Sequence, residues 1–224
     1  MRNAQLKRAL LLLLIGCGTV HSVPEERRAV SLRYVNTSFN RFERVAEANP
    51  QTTRQPRIAA AFRRGKVAVS TLRSVAANSS MRSIPLRYAR SLQYDMDTVQ
   101  QVIVQKAPAP SQEEAIFFAV ESLELKALYA VANKSSWANL IEVTVETRSP
   151  AGKPVPNLQI WYCPRGWAES LPHWQTFSFL STPTTELLAP GMYLIAVGGP
   201  NNNPLPMRVG GNGRRASHYD FPVP

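Results

Sequence analysis

The chain has 224 residues and a formal net charge of +11, from 26 Lys or Arg against 15 Asp or Glu. That length is enough for one large domain or two small ones. The two cysteines, at positions 17 and 163, exclude a disulfide-rich scaffold.

Arg2, Lys7 and Arg8 form a positive start, and residues 10–15 form an unbroken apolar run. This is the order of a secretory signal, and the run is too short to span a bilayer. Leu14, Ile15, Gly16 and Cys17 then resemble a bacterial lipobox. The resemblance implies cleavage before Cys17, a diacylglycerol on its sulfur and an acylated new amine. Residues 1–16 are then a lipoprotein signal peptide and residues 17–26 a lipid-anchored tether. Two or more acyl chains hold a protein firmly at a membrane where one binds marginally. Cys17 is therefore read as an anchor to a bacterial membrane, facing the periplasm or the cell exterior. The alternative is ordinary cleavage between Ser22 and Val23, with Val20 and Ser22 as the small side chains, which gives a secreted product.

Residues 27–136 carry four helical patterns. Leu32, Val35, Phe39, Phe42 and Ala46 recur at three and four residues, ending near "EANP". Ile58, Phe62, Val69, Leu72 and Ala76 mark a second helix, with "RRGK" on its other face and "ANSS" as its exit. A third runs from Pro85, a residue suited to a first helical turn, through Ala89, Leu92, Met96, Val99 and Ile103. After "APAPS", Ser111 with Glu114 fits a capping box for a fourth, which carries Phe118, Leu125 and Leu128 and ends at Asn133. Two αα-hairpins in one bundle are expected. Residues 27–90 hold 14 basic side chains against Glu43 and Glu47, a local balance of +12. In an exported chain such a surface points to anionic lipid, acidic polysaccharide or the protein's own acidic helices, and nucleic acid is not expected. Arg63, Arg64 and Lys66 are the candidate anionic-surface contacts.

From Trp137 the period changes from 3.6 to 2. Ile141, Val143 and Val145 alternate with Glu142, Thr144 and Glu146, a half-buried strand. "PAGKPVPN" reads as a turn, and "LQIWYC", "TFSFLS", "TELLAPG", "MYLIAVGG" and "HYDFPVP" as further short strands. Residues 137–224 thus read as a small antiparallel β-sandwich. The fold class expected is α+β in two domains, a helical bundle of about four helices followed by this sandwich. Gly152, Pro154, Val155, Pro190, Gly191 and Tyr193 match the strand, Pro-Val turn and Pro-Gly-x-Tyr corner of transthyretin-like and carboxypeptidase-regulatory-like sandwiches. The resemblance implies a non-catalytic module. The connection "CPRGWAESLPHWQ" is longer and more aromatic than that pattern has.

The chemistry-bearing residues are sparse. No HExxH, no close histidine pair and no Cys–His zinc spacing appears, so no metal or cofactor is expected. Cys163 with His173 as nucleophile and base would make a hydrolase, but no motif supports either residue. Trp161, Trp167, His173 and Trp174 fall within 14 residues, with Arg165 among them. Such an aromatic concentration can stack on sugars, anchor a protein partner, or close an open end of the sandwich. The function expected is a lipid-anchored, non-enzymatic cell-envelope protein. The sandwich would bind a protein or polysaccharide, and the basic helices would lie near an anionic surface. A subunit of an envelope or secretion assembly is the alternative.

Overall fold

The computed structural model describes residues 29–48, 55–105, 108–133, 139–165, 174–179, 181–210 and 216–223. Over these the fold is α+β, with four helices, several mostly antiparallel sheets and no barrel. None of the described helices is long and apolar enough to cross a membrane.

Helix α1 (Leu32–Ala48) buries Val35, Phe39 and Phe42, the stripe read from the sequence. Helix α2 (Pro56–Asn78) opens on a proline, whose missing N–H would have no partner in a first turn anyway. Helices α3 (Leu86–Ile103) and α4 (Pro110–Ala132) follow. Helix α2 packs most extensively on α4. The approach is close because Gly65 has no side chain: a Cβ there would lie 3.2 Å from Val120 Cγ2. Phe39, Leu72, Leu92 and Val120, one from each helix, belong to a single apolar core.

Two helix starts differ from expectation. Pro85 belongs to a short strand, because β1 (Ala29–Ser31) and β2 (Ser83–Pro85) pair antiparallel, and α3 begins one residue later. Helix α4 begins at Pro110, whose preset φ suits a first-turn position. The cap therefore falls on Ala109, whose N–H donates to Gln112 Oε1 at 2.9 Å, and the Ser111–Glu114 pair does not form it.

Seven strands follow: β3 (Ile141–Arg148), β4 (Ile160–Pro164), β5 (Gln175–Thr176), β6 (Thr184–Leu188), β7 (Gly191–Val197), β8 (Leu205–Val209) and β9 (Ala216–Pro222). They form a three-stranded sheet in the order β6-β3-β9 and a four-stranded sheet in the order β5-β4-β7-β8. Strands β3 and β9 run parallel, where an antiparallel arrangement was expected throughout. The chain reaches β9 by crossing from the other sheet, so no hairpin imposes an antiparallel entry. Strand β8 was not anticipated because Pro204 and Pro206 punctuate it. An edge strand tolerates proline on its unpaired side, and β8 is an edge. The strand expected in "TFSFLS" is shorter and starts earlier, as β5: Phe177 is buried, but Phe179, two residues on, is 70% exposed. Pairing with β4 covers only its start, through Thr176 and the Phe177 N–H that donates to the Ile160 carbonyl at 3.0 Å.

Val143, Val145 and Leu188 of the first sheet and Ile160, Ile195 and Met207 of the second share one apolar core, which also takes in Tyr129 of α4. In return, Ala189 belongs to the helical core. At this junction a Cβ on Gly191 would lie 2.5 Å from Ser122 Oγ and 3.1 Å from Lys126 Nζ. Glycine is what lets β7 sit on α4. Tyr193 Oη donates to the Ala189 carbonyl at 2.8 Å and closes the Pro190–Gly191 corner.

Candidate functional site

The described residues among those singled out in the sequence lie on different parts of the fold. Cys17, Trp167 and His173 lie outside the described residues. Trp161 is half-buried on β4, opposite Thr176 and Ala196, and Trp174 is half-buried just before β5. Arg165 turns inward toward α4, its guanidinium 3.5 Å from the centre of the Phe118 ring and 3.9 Å from Glu114. That stack joins the end of β4 to the helices. Cys163 is buried, and burial pushes its thiol up to about 12. A nucleophilic thiolate needs the opposite environment.

A cleft of about 430 Å³ opens between α3 and the four-stranded sheet. One face of α3, at helical spacing, supplies Arg87, Arg90, Ser91, Tyr94 and Asp97. Tyr162, Tyr193, Leu188 and Ala189 form an apolar floor, and Pro164 and Gln175 form the far rim. These two rim residues flank the segment 165–174, so the aromatic connection leaves and rejoins the fold at the cleft's edge. The floor is braced by Tyr162 Oη donating to Gln175 Oε1 at 2.7 Å, and by the edge-on packing of Tyr162 against Phe177 and Tyr193.

The inner end of the cleft is held by a buried ion pair between Arg87 and Glu186. Arg87 also donates to the Leu187 carbonyl at 3.2 Å. Glu186 accepts from Ser178 N (2.8 Å), Ser178 Oγ (2.7 Å) and Leu187 N (3.0 Å). These donors satisfy the oxygens that burial takes from water. The pair fixes α3 relative to β6 and so pre-forms the cleft. At the other end, Tyr34 Oη of α1 donates to Gln93 Oε1 at 3.2 Å. Burial pushes the Asp97 carboxyl up, and nearby Arg41 opposes the shift.

A second surface lies between α2 and α4, a groove of about 490 Å³. Val67, Leu128 and Val131 stand 67%, 55% and 44% exposed in it. Arg63 and Lys66 are exposed beside it, and among the described residues neither has an ion-pair partner. Arg64, the third candidate, pairs bidentately with Glu124 across the helix contact. The structure thus divides the trio: all three are exposed, but Arg64 is engaged by the acidic helix.

Beneath both surfaces Lys126 is fully buried, with Nζ 2.7 Å from Asp95 Oδ2 and 2.9 Å from Ser122 Oγ. Burial pushes Asp95 up and Lys126 down, and each opposes the other's shift. On the β3–β9 edge, Glu146, His218 and Asp220 place one potential metal-ligand atom each within 4.8 Å of one another. Arg148 already donates to both carboxylates, to Asp220 Oδ1 at 2.8 Å and Glu146 Oε2 at 3.0 Å. The arrangement is an exposed ion-pair cluster.

Neither a protein-family model nor a curated protein matches this chain. The apolar stripe of α3 gives no sign of the cleft residues. The signal was there on the neighbouring face: Arg87, Arg90, Tyr94 and Asp97 recur at three, four and three residues.

Proposed function

We propose that this protein is a lipid-anchored, non-enzymatic component of a bacterial cell envelope. Its helical part, residues 27–136, faces an anionic membrane, and its β part, residues 137–224, is a transthyretin-like sandwich that binds a protein or polysaccharide. The signal and lipobox pattern supports the anchor, and the shared core of the two sheets supports the sandwich. The observation that carries the membrane-facing reading is the α2–α4 groove. Arg63 lines it beside three exposed aliphatic side chains, Lys66 is exposed three residues further along α2, and among the described residues neither has an ion-pair partner; charge beside apolar surface suits a headgroup layer.

The test is co-sedimentation of tether-free protein with vesicles containing an anionic lipid. Each basic residue near such a surface contributes about 1 kcal/mol, so reversing Arg63 and Lys66 to Glu should weaken binding about thirtyfold or more. Stability should change by about 1 kcal/mol or less, since both groups are exposed. Wild-type protein that ignores the vesicles, or a double reversal that binds equally well, overturns the reading. In that event the exposed aliphatics favour the second reading, a subunit that packs another protein of an envelope or secretion assembly into the groove. The anchor has its own test: labelled palmitate should mark the wild type and not Cys17→Ser. Mature protein beginning at Val23 would refute it.

A further inference from the structure

One face of the β3–β9 pair carries three metal-ligand side chains that no part of the proposed function uses. Glu146 and Asp220 are opposite residues in the parallel register, and His218 lies two positions before Asp220, on the same face of β9. The parallel run of β9 is what brings the three together. They stand on paired strands, which hold a site more precisely than loops do.

The distances fit one ion. Nitrogen and oxygen ligands sit about 2.0–2.2 Å from zinc, so two of them at a tetrahedral angle lie about 3.4 Å apart. His218 Nε2 is 3.5 Å from Asp220 Oδ1 and 3.9 Å from Glu146 Oε1. Small shifts of these half-buried and exposed side chains close that geometry. Arg148 does not fill the site. It takes Glu146 through Oε2, which leaves Oε1 toward the imidazole. Its Nε takes one acceptor position of Asp220 Oδ1, and a carboxylate has about four. The guanidinium also donates to the Gly152 carbonyl at 3.3 Å, so it is placed to orient both carboxylates, as outer partners do at metal sites. Its hydrogen bond holds the Asp220 carboxyl below the usual carboxylate range, in the charged form that a metal requires.

Two carboxylates alone would be an ordinary acidic patch, suited at most to calcium or magnesium. The imidazole nitrogen turns the set toward zinc and its neighbours among the transition metals. We propose that Glu146, His218 and Asp220 bind one divalent transition-metal ion of the zinc type, with a fourth position open to water.

Titration calorimetry of the purified chain with zinc chloride tests this, with calcium chloride as the comparison. Zinc should saturate at one ion per chain, and calcium should show no saturation over the same range. His218→Gln and Glu146→Gln should each weaken zinc binding about tenfold or more, since even an outer partner of a ligand is worth about 10–100-fold. His21→Gln combined with His173→Gln removes the other two histidines and should leave binding intact. Zinc should raise the melting temperature of the wild type and not that of His218→Gln. Without zinc the two should melt alike, because His218 is exposed. The inference is overturned if zinc does not saturate, if calcium binds as tightly, if either single variant keeps the wild-type affinity, or if the double histidine variant loses it.

Discussion

Replacing Lys126 with Met tests how the helices and sheets are joined. The substitution keeps the side chain's length and apolar stem but removes the ammonium that faces Asp95 at 2.7 Å. Asp95 is 3% exposed, and the Ser122 hydroxyl then remains as a hydrogen-bond donor to it. Leaving its carboxylate buried and unpaired would cost about 3–5 kcal/mol. The variant has a second route, which is to fold with Asp95 protonated. From an unfolded value of about 3.9, taking up that proton near neutral pH costs about 4 kcal/mol. The cheaper route limits the loss, so the expected destabilisation near pH 7 is up to about 4 kcal/mol.

The pH dependence follows from the same reasoning. In the variant the folded value of Asp95 lies above the unfolded one, so the native state holds a proton that the unfolded chain has released. Its stability therefore falls as pH rises, by about 1.4 kcal/mol per unit. In the wild type Lys126 opposes the upward shift of Asp95, so that decline ends at lower pH. The gap between the two proteins should widen from pH 5 to pH 7. Urea unfolding followed by circular dichroism at both values measures it. The companion Asp95→Asn with Lys126→Met has nothing to titrate there, and its gap to Lys126→Met should change with the same slope. A gap under about 1 kcal/mol at pH 7, or one equal at both values, would refute a buried charged pair at this junction.

Two other outcomes are expected from particular residues. Gly191→Ala forces a Cβ to within 2.5 Å of Ser122 Oγ and should lower stability by about 1–3 kcal/mol, measured by the same unfolding assay; an unchanged midpoint would mean that β7 does not rest on α4 as described. Cys163, with its thiol pushed up to about 12, should resist a chromogenic disulfide reagent at mildly alkaline pH in native protein and react fully in denaturant; rapid native reaction would show an accessible thiolate.

The elements themselves were legible because their signals are local. Val35–Phe39–Phe42 and Ile141–Val143–Val145 carry the helical and strand periods directly, and the observed α1 and β3 bury those residues. What failed were features set by distant contacts. Strand β8 exists because a sheet edge tolerates Pro206, and the parallel run of β9 against β3 depends on which end of the sheet a long connection reaches. The division of "RRGK", with Arg64 paired across the helix contact and Arg63 and Lys66 without an ion-pair partner among the described residues, was decided by where Glu124 lies on the facing helix. The same holds for Asp95 and Lys126, 31 positions apart in sequence. Read alone, each is an ordinary helical charge. Once α3, α4 and β7 close over them, water is excluded and the pair becomes an internal bond. The sequence by itself determined periodicity and breaks, because both are carried by neighbouring residues. Only the tertiary structure decided which charges are buried, which face outward, and that a cleft opens between α3 and the sheet, because those properties belong to surfaces that meet after the chain has folded.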